Sequence, residues 1–160
     1  MVEAFHIIPI KRFEHGGTVA EDEGIIVEQS VSLTVNGKVW LSFMCSPVEI
    51  EALAVGFLYN EKIIQSMDEI ADIYVCEHRD NVDVWLTRSI EEPKNWRRTS
   101  GCTGGYTAAV LEEVESVPPN QLTLTPEQIL GLIRKLFESQ DIYRKSGGVH
   151  SSALATTDEI

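Results

Sequence analysis

The order of periodic segments predicts an α+β protein: an N-terminal α/β roll over residues 1–92, in which an antiparallel sheet carries one packed helix, and a second α/β domain over residues 93–160. Three observations carry this. Asn36-Gly37, the preferred pair for a two-residue type I′ turn, stands between two runs of alternating apolar residues. Ile50, Leu53, Ala54, Phe57 and Leu58 then recur at helical spacing. Two further alternating runs follow, so the chain reads strand, strand, helix, strand, strand. That is the order of a helix laid over one face of a mostly antiparallel sheet.

Taken in order, residues 1–24 mix charge, glycine and β-branched positions. Ile7, Ile8 and Ile10 suit an edge strand, whereas His15-Gly16-Gly17 and Glu21-Asp22-Glu23-Gly24 read as loops. Val27, Val31, Leu33 and Val35 alternate into the turn. Val39, Leu41 and Phe43 alternate out of it, which puts Trp40 on the other face. Ser46-Pro47-Val48-Glu49 has the pattern of a capping box with proline at the first helical position. The apolar stripe behind it is core rather than a binding surface. Residues 70–76 and 82–87 are strands joined by a turn at His78-Arg79-Asp80-Asn81. Glu91-Glu92-Pro93-Lys94-Asn95 breaks the pattern and marks the domain boundary. Residues 106–117 read either as a short helix or as an irregular segment, and Val117-Pro118-Pro119-Asn120 is a break. Thr125-Pro126-Glu127-Gln128 is a second capping box. It opens a helix whose buried face is Ile129, Ile133, Leu136 and Phe137 and which ends before Ser146. Residues 149–155 read as a short buried strand.

A hydrophobic content of 43% suffices for a core, though two separate cores would each be small. The net charge of -12 argues against affinity for nucleic acid and favours a basic protein partner. Three cysteines with no Cys-x-x-Cys pair do not make a disulfide framework. The first residues lack the pattern of a secretory signal, and no run is long and apolar enough for a membrane span. No membrane association is therefore expected, and a reducing cytoplasm is the expected compartment. No metal site is expected either, because Cys45, Cys76 and Cys102 each stand at least 26 residues apart. Walker loops, dinucleotide fingerprints and the zinc-deaminase signature are missing.

The chemistry concentrates in Arg97-Arg98-Thr99-Ser100-Gly101-Cys102-Thr103-Gly104-Gly105-Tyr106. A cysteine stands in a polar, glycine-rich stretch just after two arginines, and no carboxylate occurs between Glu92 and Glu112. A thiol reacts as its thiolate, and neighbouring cations and converging backbone N–H groups favour that form. Cys102 therefore has the surroundings of a reactive thiol. The competing reading is a small buried hydrophobe, the usual fate of a free cysteine. Cys45 and Cys76, inside apolar runs, fit it better. A second notable stretch is Gly147-Gly148-Val149-His150. A glycine pair can cradle an anion or allow close backbone approach. His150 can act as a base, donate a hydrogen bond, or be a satisfied core histidine.

Three stretches of this chain resemble the FdhD family, the formate dehydrogenase accessory sulfurtransferases. They are the hairpin and helix from Asn36-Gly37 through Leu53-Ala54-Val55-Gly56-Phe57-Leu58 with Glu61 and Ile63-Ile64, the Ser100-Gly101-Cys102 segment, and Ser146-Gly147-Gly148-Val149-His150-Ser151-Ser152-Ala153. Their order and spacing also fit, over roughly residues 20–156. The resemblance implies that residues 93–160 are the N-terminal part of a cytidine-deaminase-like domain without its zinc ligands. It implies a sulfurtransferase-type persulfide carrier that accepts sulfur from a cysteine desulfurase. The sulfur would pass to the molybdenum-bis-pterin guanine dinucleotide cofactor of a formate dehydrogenase, with that cofactor as cargo and none bound tightly. Cys102 would be the catalytic residue. Arg97, Arg98, Gly147, Gly148 and His150 are candidates to bind the anion or cofactor, and a homodimer is left open. Two departures stand out. Many members carry Cys-x-x-Cys where this chain has Cys102-Thr103-Gly104-Gly105, so sulfur cannot pass between two cysteines of this segment. Members also continue beyond the point corresponding to Ile160, which leads us to expect a shortened form of a longer protein. Two further readings stand beside the carrier: a non-catalytic chaperone for the cofactor or the apo-dehydrogenase, and a structural fragment without activity of its own.

Overall fold

A computed structural model describes residues 4–98, 106–107 and 123–160. Among them the strands are β1 (Phe5–Glu14), β2 (Gly17–Ile26), β3 (Gln29–Val35), β4 (Lys38–Cys45), β5 (Ile70–Val75), β6 (Asn81–Leu86), β7 (Arg97–Arg98) and β8 (Tyr106–Thr107). The helices are α1 (Ile50–Asn60), α2 (Pro126–Ser139) and α3 (Asp141–Ser146). The chain packs as two units, residues 27–115, and residues 4–26 with 116–160.

The first unit is an α/β roll, a helix packed on one face of a sheet. Asn36 and Gly37 both take positive φ, 50° and 77°, as a type I′ turn requires. The sheet order is β4-β3-β6-β5, with antiparallel pairs outside and a parallel β3–β6 pair in the middle. The chain crosses from one edge of the sheet to the other through α1. The two central strands bury Val31, Leu33, Val35, Val82, Val84 and Leu86, and α1 sets Ile50, Ala54 and Leu58 in the same core. Burying each of the larger aliphatic side chains contributes about 1.5–3 kcal/mol. This core holds the roll together.

Two local expectations are corrected. Leu33 pairs with Leu41 but Thr34 pairs with Val39, so Trp40 is the extra residue of a β-bulge. The bulge turns Trp40 into the core, 8% exposed beside the buried Leu41, and leaves Val39 60% exposed. Strict alternation would have placed Trp40 on the far side. The capping box at Ser46 also does not form. Helix α1 starts at Ile50, with Glu49 in the left-handed region (φ 48°) and no side-chain cap. Tertiary contacts hold the segment away from the helix: Pro47 is buried and its carbonyl accepts the Arg79 Nε–H at 2.9 Å.

After α1, a single 3-10 turn (Met67–Glu69) is latched to the end of β6. The Glu69 carboxylate accepts the Gln65 N–H at 2.6 Å and the Arg88 Nε–H at 2.9 Å, and Arg88 also donates to the Ile63 carbonyl. The Gln65 amide, and then Arg88, hold the Glu69 carboxyl below its usual range. The folded pKa is lowered, so the latch stabilises fully above the ordinary glutamate range and is lost as pH falls through the lowered value. In urea melts at falling pH, Glu69→Gln is expected to reduce the loss of stability in that acid window. An unchanged acid slope would show that the latch is not proton-linked.

The second unit contains the β1–β2 hairpin, in continuous register from Phe5–Ile26 to Glu14–Gly17, and the helices α2 and α3. The hairpin forms its own two-stranded sheet and is not an edge of the roll's sheet. Glu21 and Glu23, expected in a loop, lie on β2 and pair across the ladder with Arg12. Gly24 makes a close approach: a Cβ there would run into the Lys145 backbone carbonyl of α3. Lys145 Nζ lies 5.3 Å from the centroid of the Phe5 ring. Gly24→Ala must therefore push α3 off the hairpin and is expected to cost about 1–3 kcal/mol. Greater protease sensitivity of residues 141–151 in the variant would report it, and unchanged sensitivity would refute it.

The Thr125 capping box forms as expected. Thr125 Oγ1 accepts the Gln128 N–H, and Gln128 Oε1 accepts the Thr125 N–H. The helix breaks at Gln140, where Arg144 turns back to donate to the Phe137 and Glu138 carbonyls. Two expectations fail here. Ile129, Ile133 and Phe137 are exposed, Phe137 by 59%, because no element of the described residues covers that face of α2. Residues 149–155 form no strand, since a strand needs a ladder partner and none of the described residues supplies one. Among the described residues no helix is long and apolar enough to cross a membrane.

Candidate functional site

The roll sets the frame for the Cys102 segment through aromatic packing. Phe43 on β4 meets Phe57 on α1 edge-on at 5.0 Å between centroids, and Phe57 lies 5.8 Å from Trp96. Trp96 also packs 6.4 Å from Trp40, the residue the bulge turned inward. The Trp96 indole N–H donates to Glu92 Oε1, and Glu92 is paired with Lys38 at 3.0 Å. The next residues in the chain are the two arginines. They form β7, which pairs antiparallel with β8, Arg97 opposite Thr107 and Arg98 opposite Tyr106. On the far strand, Thr107 Oγ1 donates to Glu61 Oε2 at the end of α1, at 3.2 Å. The two-stranded clasp is thus fixed to the roll on both sides, by Trp96 before β7 and by Thr107 within β8.

Cys102 falls midway between Arg98 and Tyr106 in sequence; it and its neighbours 99–105 lie outside the described residues. The Arg97 side chain is exposed. Three residues of this arrangement were given no part in the site from sequence, Trp96, Glu92 and Thr107, and Glu61 was noted only within the helix that resembles the family. The two carboxylates stand beside the clasp, so its surroundings are less uniformly positive than the run of residues 93–111 suggests. An aromatic immediately before the arginine pair was the available signal.

Neither of the other two cysteines is fully buried, and Cys45 packs against the roll's core. Cys45 is half-buried at the end of β4, and burial, with the nearby Glu28 charge second, pushes its thiol above the ordinary range. Cys76 donates to Asp80 Oδ1 at 2.9 Å. Among the described residues, no group of three or more His, Cys, Asp or Glu side chains could hold a metal ion.

Gly147, Gly148 and His150 belong to the second unit. Gly147 caps α3 in the left-handed region (φ 62°), its N–H bonded to the Tyr143 carbonyl, as glycine does after a helix. Gly148 lies so close to Ile26 that a Cβ would stand 3.1 Å from the Ile26 side chain. Both glycines therefore have backbone duties of their own. His150 is exposed and lines a cavity of about 450 Å³ with Tyr143, Asp141 and Ser151 among others. The structure brings Arg97 and Arg98 together on β7, and Gly147, Gly148 and His150 together after α3.

The fold and the clasp define an α+β protein in which a lone cysteine falls, in sequence, between the paired strands β7 and β8. The chain belongs to the FdhD/NarQ family, whose profile matches residues 26–160. Sulfur carrier protein FdhD of Shouchella clausii is 29% identical over 160 residues, covering 94% of this chain and 60% of the relative. Its namesake in Staphylococcus aureus is 27% identical, covering 92% and 58%. The chain thus spans about three fifths of the length of these relatives. The fold matches a crystal structure from Desulfotalea psychrophila, of a protein described as a formate dehydrogenase accessory protein. The TM-score is 0.66 at 24% identity, over 91% of this chain and 55% of that one.

Proposed function

We propose that this protein is a sulfur carrier for the maturation of a formate dehydrogenase, with Cys102 as the carrying residue. The observation that supports it most is the β7–β8 clasp. It ties both flanks of the Cys102 segment, residues 97–98 and 106–107, into one paired ladder and sets Arg97 and Arg98 on the entering strand. The names of the relatives, sulfur carrier protein FdhD, support the same reading. A cysteine desulfurase is the proposed donor. The Cys102 thiolate attacks the terminal sulfur of the donor's persulfide; the donor's S–S bond breaks, its cysteine leaves as a thiolate, and Cys102 keeps the sulfur as a persulfide anion. No external oxidant or reductant is needed. Arg97 and Arg98 stabilise the anion. The proposed acceptor is the molybdenum-bis-pterin guanine dinucleotide cofactor of the dehydrogenase, with His150 and the glycine pair as candidates to contact it. A reducing cytoplasm is the compartment in which such a thiol persists.

One observation favours a second reading, a chaperone that holds the cofactor without transferring sulfur: this segment has no second cysteine to receive the sulfur. Complementation separates the two. In cells lacking their own accessory protein, the carrier reading predicts that wild type restores formate dehydrogenase activity and Cys102→Ala does not. Full restoration by Cys102→Ala would establish the chaperone reading instead.

A further inference from the structure

The face of the roll's sheet opposite α1 has no role in the carrier chemistry, yet it carries an ordered pattern. On it, Asp72 stands directly across the ladder from Trp85, and Tyr74 directly across from Asp83. Each aromatic is thus paired with a carboxylate, and the two pairs follow one another along β5 and β6. Trp85, on the central strand β6, is 45% exposed, unusual for an indole there, and Tyr74, on the edge strand β5, is 61% exposed. Trp85 is also held in place, its ring lying against Gly37 of the hairpin turn.

The charges around these pairs are not balanced. Lys38, Arg79 and Arg88 open β4 and flank β6, and each is tied to a carboxylate: Glu92, Glu51 and Glu69. Among the described residues, Asp72 and Asp83 are in no ion pair. They accept only from backbone, Asp72 from Ile73 N–H and Asp83 from Gly37 N–H at 3.4 Å. An aromatic face beside an uncompensated carboxylate is a receptor for a guanidinium or ammonium group, which the ring quadrupole and the carboxylate attract together. Successive pairs on one face of a strand are roughly 7 Å apart, the spacing of side chains at i and i+2 of an extended chain.

We infer that this face docks an extended protein segment bearing Arg or Lys at positions i and i+2, one cation on each aromatic–carboxylate pair. A second copy of the chain is the wrong occupant, because it would set Asp72 and Asp83 against like charges on a protein already at -12. An acidic membrane surface or a nucleic acid is excluded by the same sign. The inference stands apart from the sulfur-carrier reading, since neither Cys102 nor the clasp enters it.

The test uses the full 160-residue chain and two synthetic ten-residue peptides of identical composition, one with arginines at i and i+2, the other with the arginines adjacent. In amide and indole NMR titrations, the spaced peptide is expected to move the Trp85 indole and the Tyr74 and Asp83 amides. It should bind about fivefold more tightly than the adjacent isomer. Trp85→Ala and Tyr74→Ala should each remove that preference, while Glu127→Gln with Glu138→Gln on α2 should leave it intact. Tyr74 is far enough into solvent that its variant tests the idea even if Trp85→Ala fails to fold. Equal binding of both peptides, shifts spread over the acidic surface, or loss of Trp85 exposure through self-association would each overturn the inference.

Discussion

Cys102→Ala is expected to lose uptake of sulfane sulfur by at least about 100-fold, as removal of an attacking nucleophile does. Cys45→Ala and Cys76→Ala should stay at the wild-type rate. Cys102→Ser should fail as completely as alanine, because a hydroxyl cannot hold sulfur as a persulfide. The contrast rests on the state of each thiol. Cys45 is half-buried, and desolvation, with the Glu28 charge second, pushes its pKa up. A raised pKa means a smaller thiolate fraction at neutral pH, so alkylation of Cys45 should be slow there and should climb only above the ordinary thiol range. Cys76 is engaged with Asp80. The Arg97 side chain is exposed, so Arg97→Gln should slow uptake only a few-fold, in keeping with about 1 kcal/mol or less for an exposed charge. Uptake that survives Cys102→Ala, measured by following transferred sulfur, would move the carrier role elsewhere.

The second large effect concerns the anchor. Trp96→Ala is expected to cost about 2–3 kcal/mol, below the 3–5 of a fully buried aromatic because Trp96 is only part-buried. It removes the ring that packs on Trp40 and Phe57 and the indole N–H that binds Glu92. With that packing gone, β7 loses its attachment to the roll, and sulfur uptake should fall although Cys102 is untouched. Trp96→Phe keeps most of the packing and should recover most of both. Urea unfolding followed alongside uptake checks the pair. If stability fell and uptake did not, the clasp would be dispensable for positioning the thiol.

What was legible in the chain was local. The Asn36-Gly37 turn, the α1 stripe of Ile50, Ala54 and Leu58, and the Thr125–Gln128 capping box are each specified by residues within a few positions of one another, and all three formed. What was missed depends on distant partners. The bulge that buries Trp40 is a mismatch between two strands and leaves no trace in either alone. Ser46 has the chemistry of a cap, yet Pro47 is claimed by Arg79 from another turn. The acids of β2 looked like a loop because their compensation, Arg12, lies across a hairpin. The parallel pairing of β3 with β6 is equally non-local, so the sheet is more mixed than expected. At the site, sequence picked out the arginines and the cysteine through their chemistry. It did not reveal Trp96 and Thr107, whose part is mechanical and depends on α1 and β4.

Peptide-resolved mass spectrometry after incubation with a cysteine desulfurase and heavy-sulfur cysteine addresses the carrier role most directly. The account predicts one additional, reductant-labile heavy sulfur on the peptide containing Cys102, and none on those containing Cys45 or Cys76. Equal labelling of all three, or an unlabelled Cys102 peptide, would contradict it.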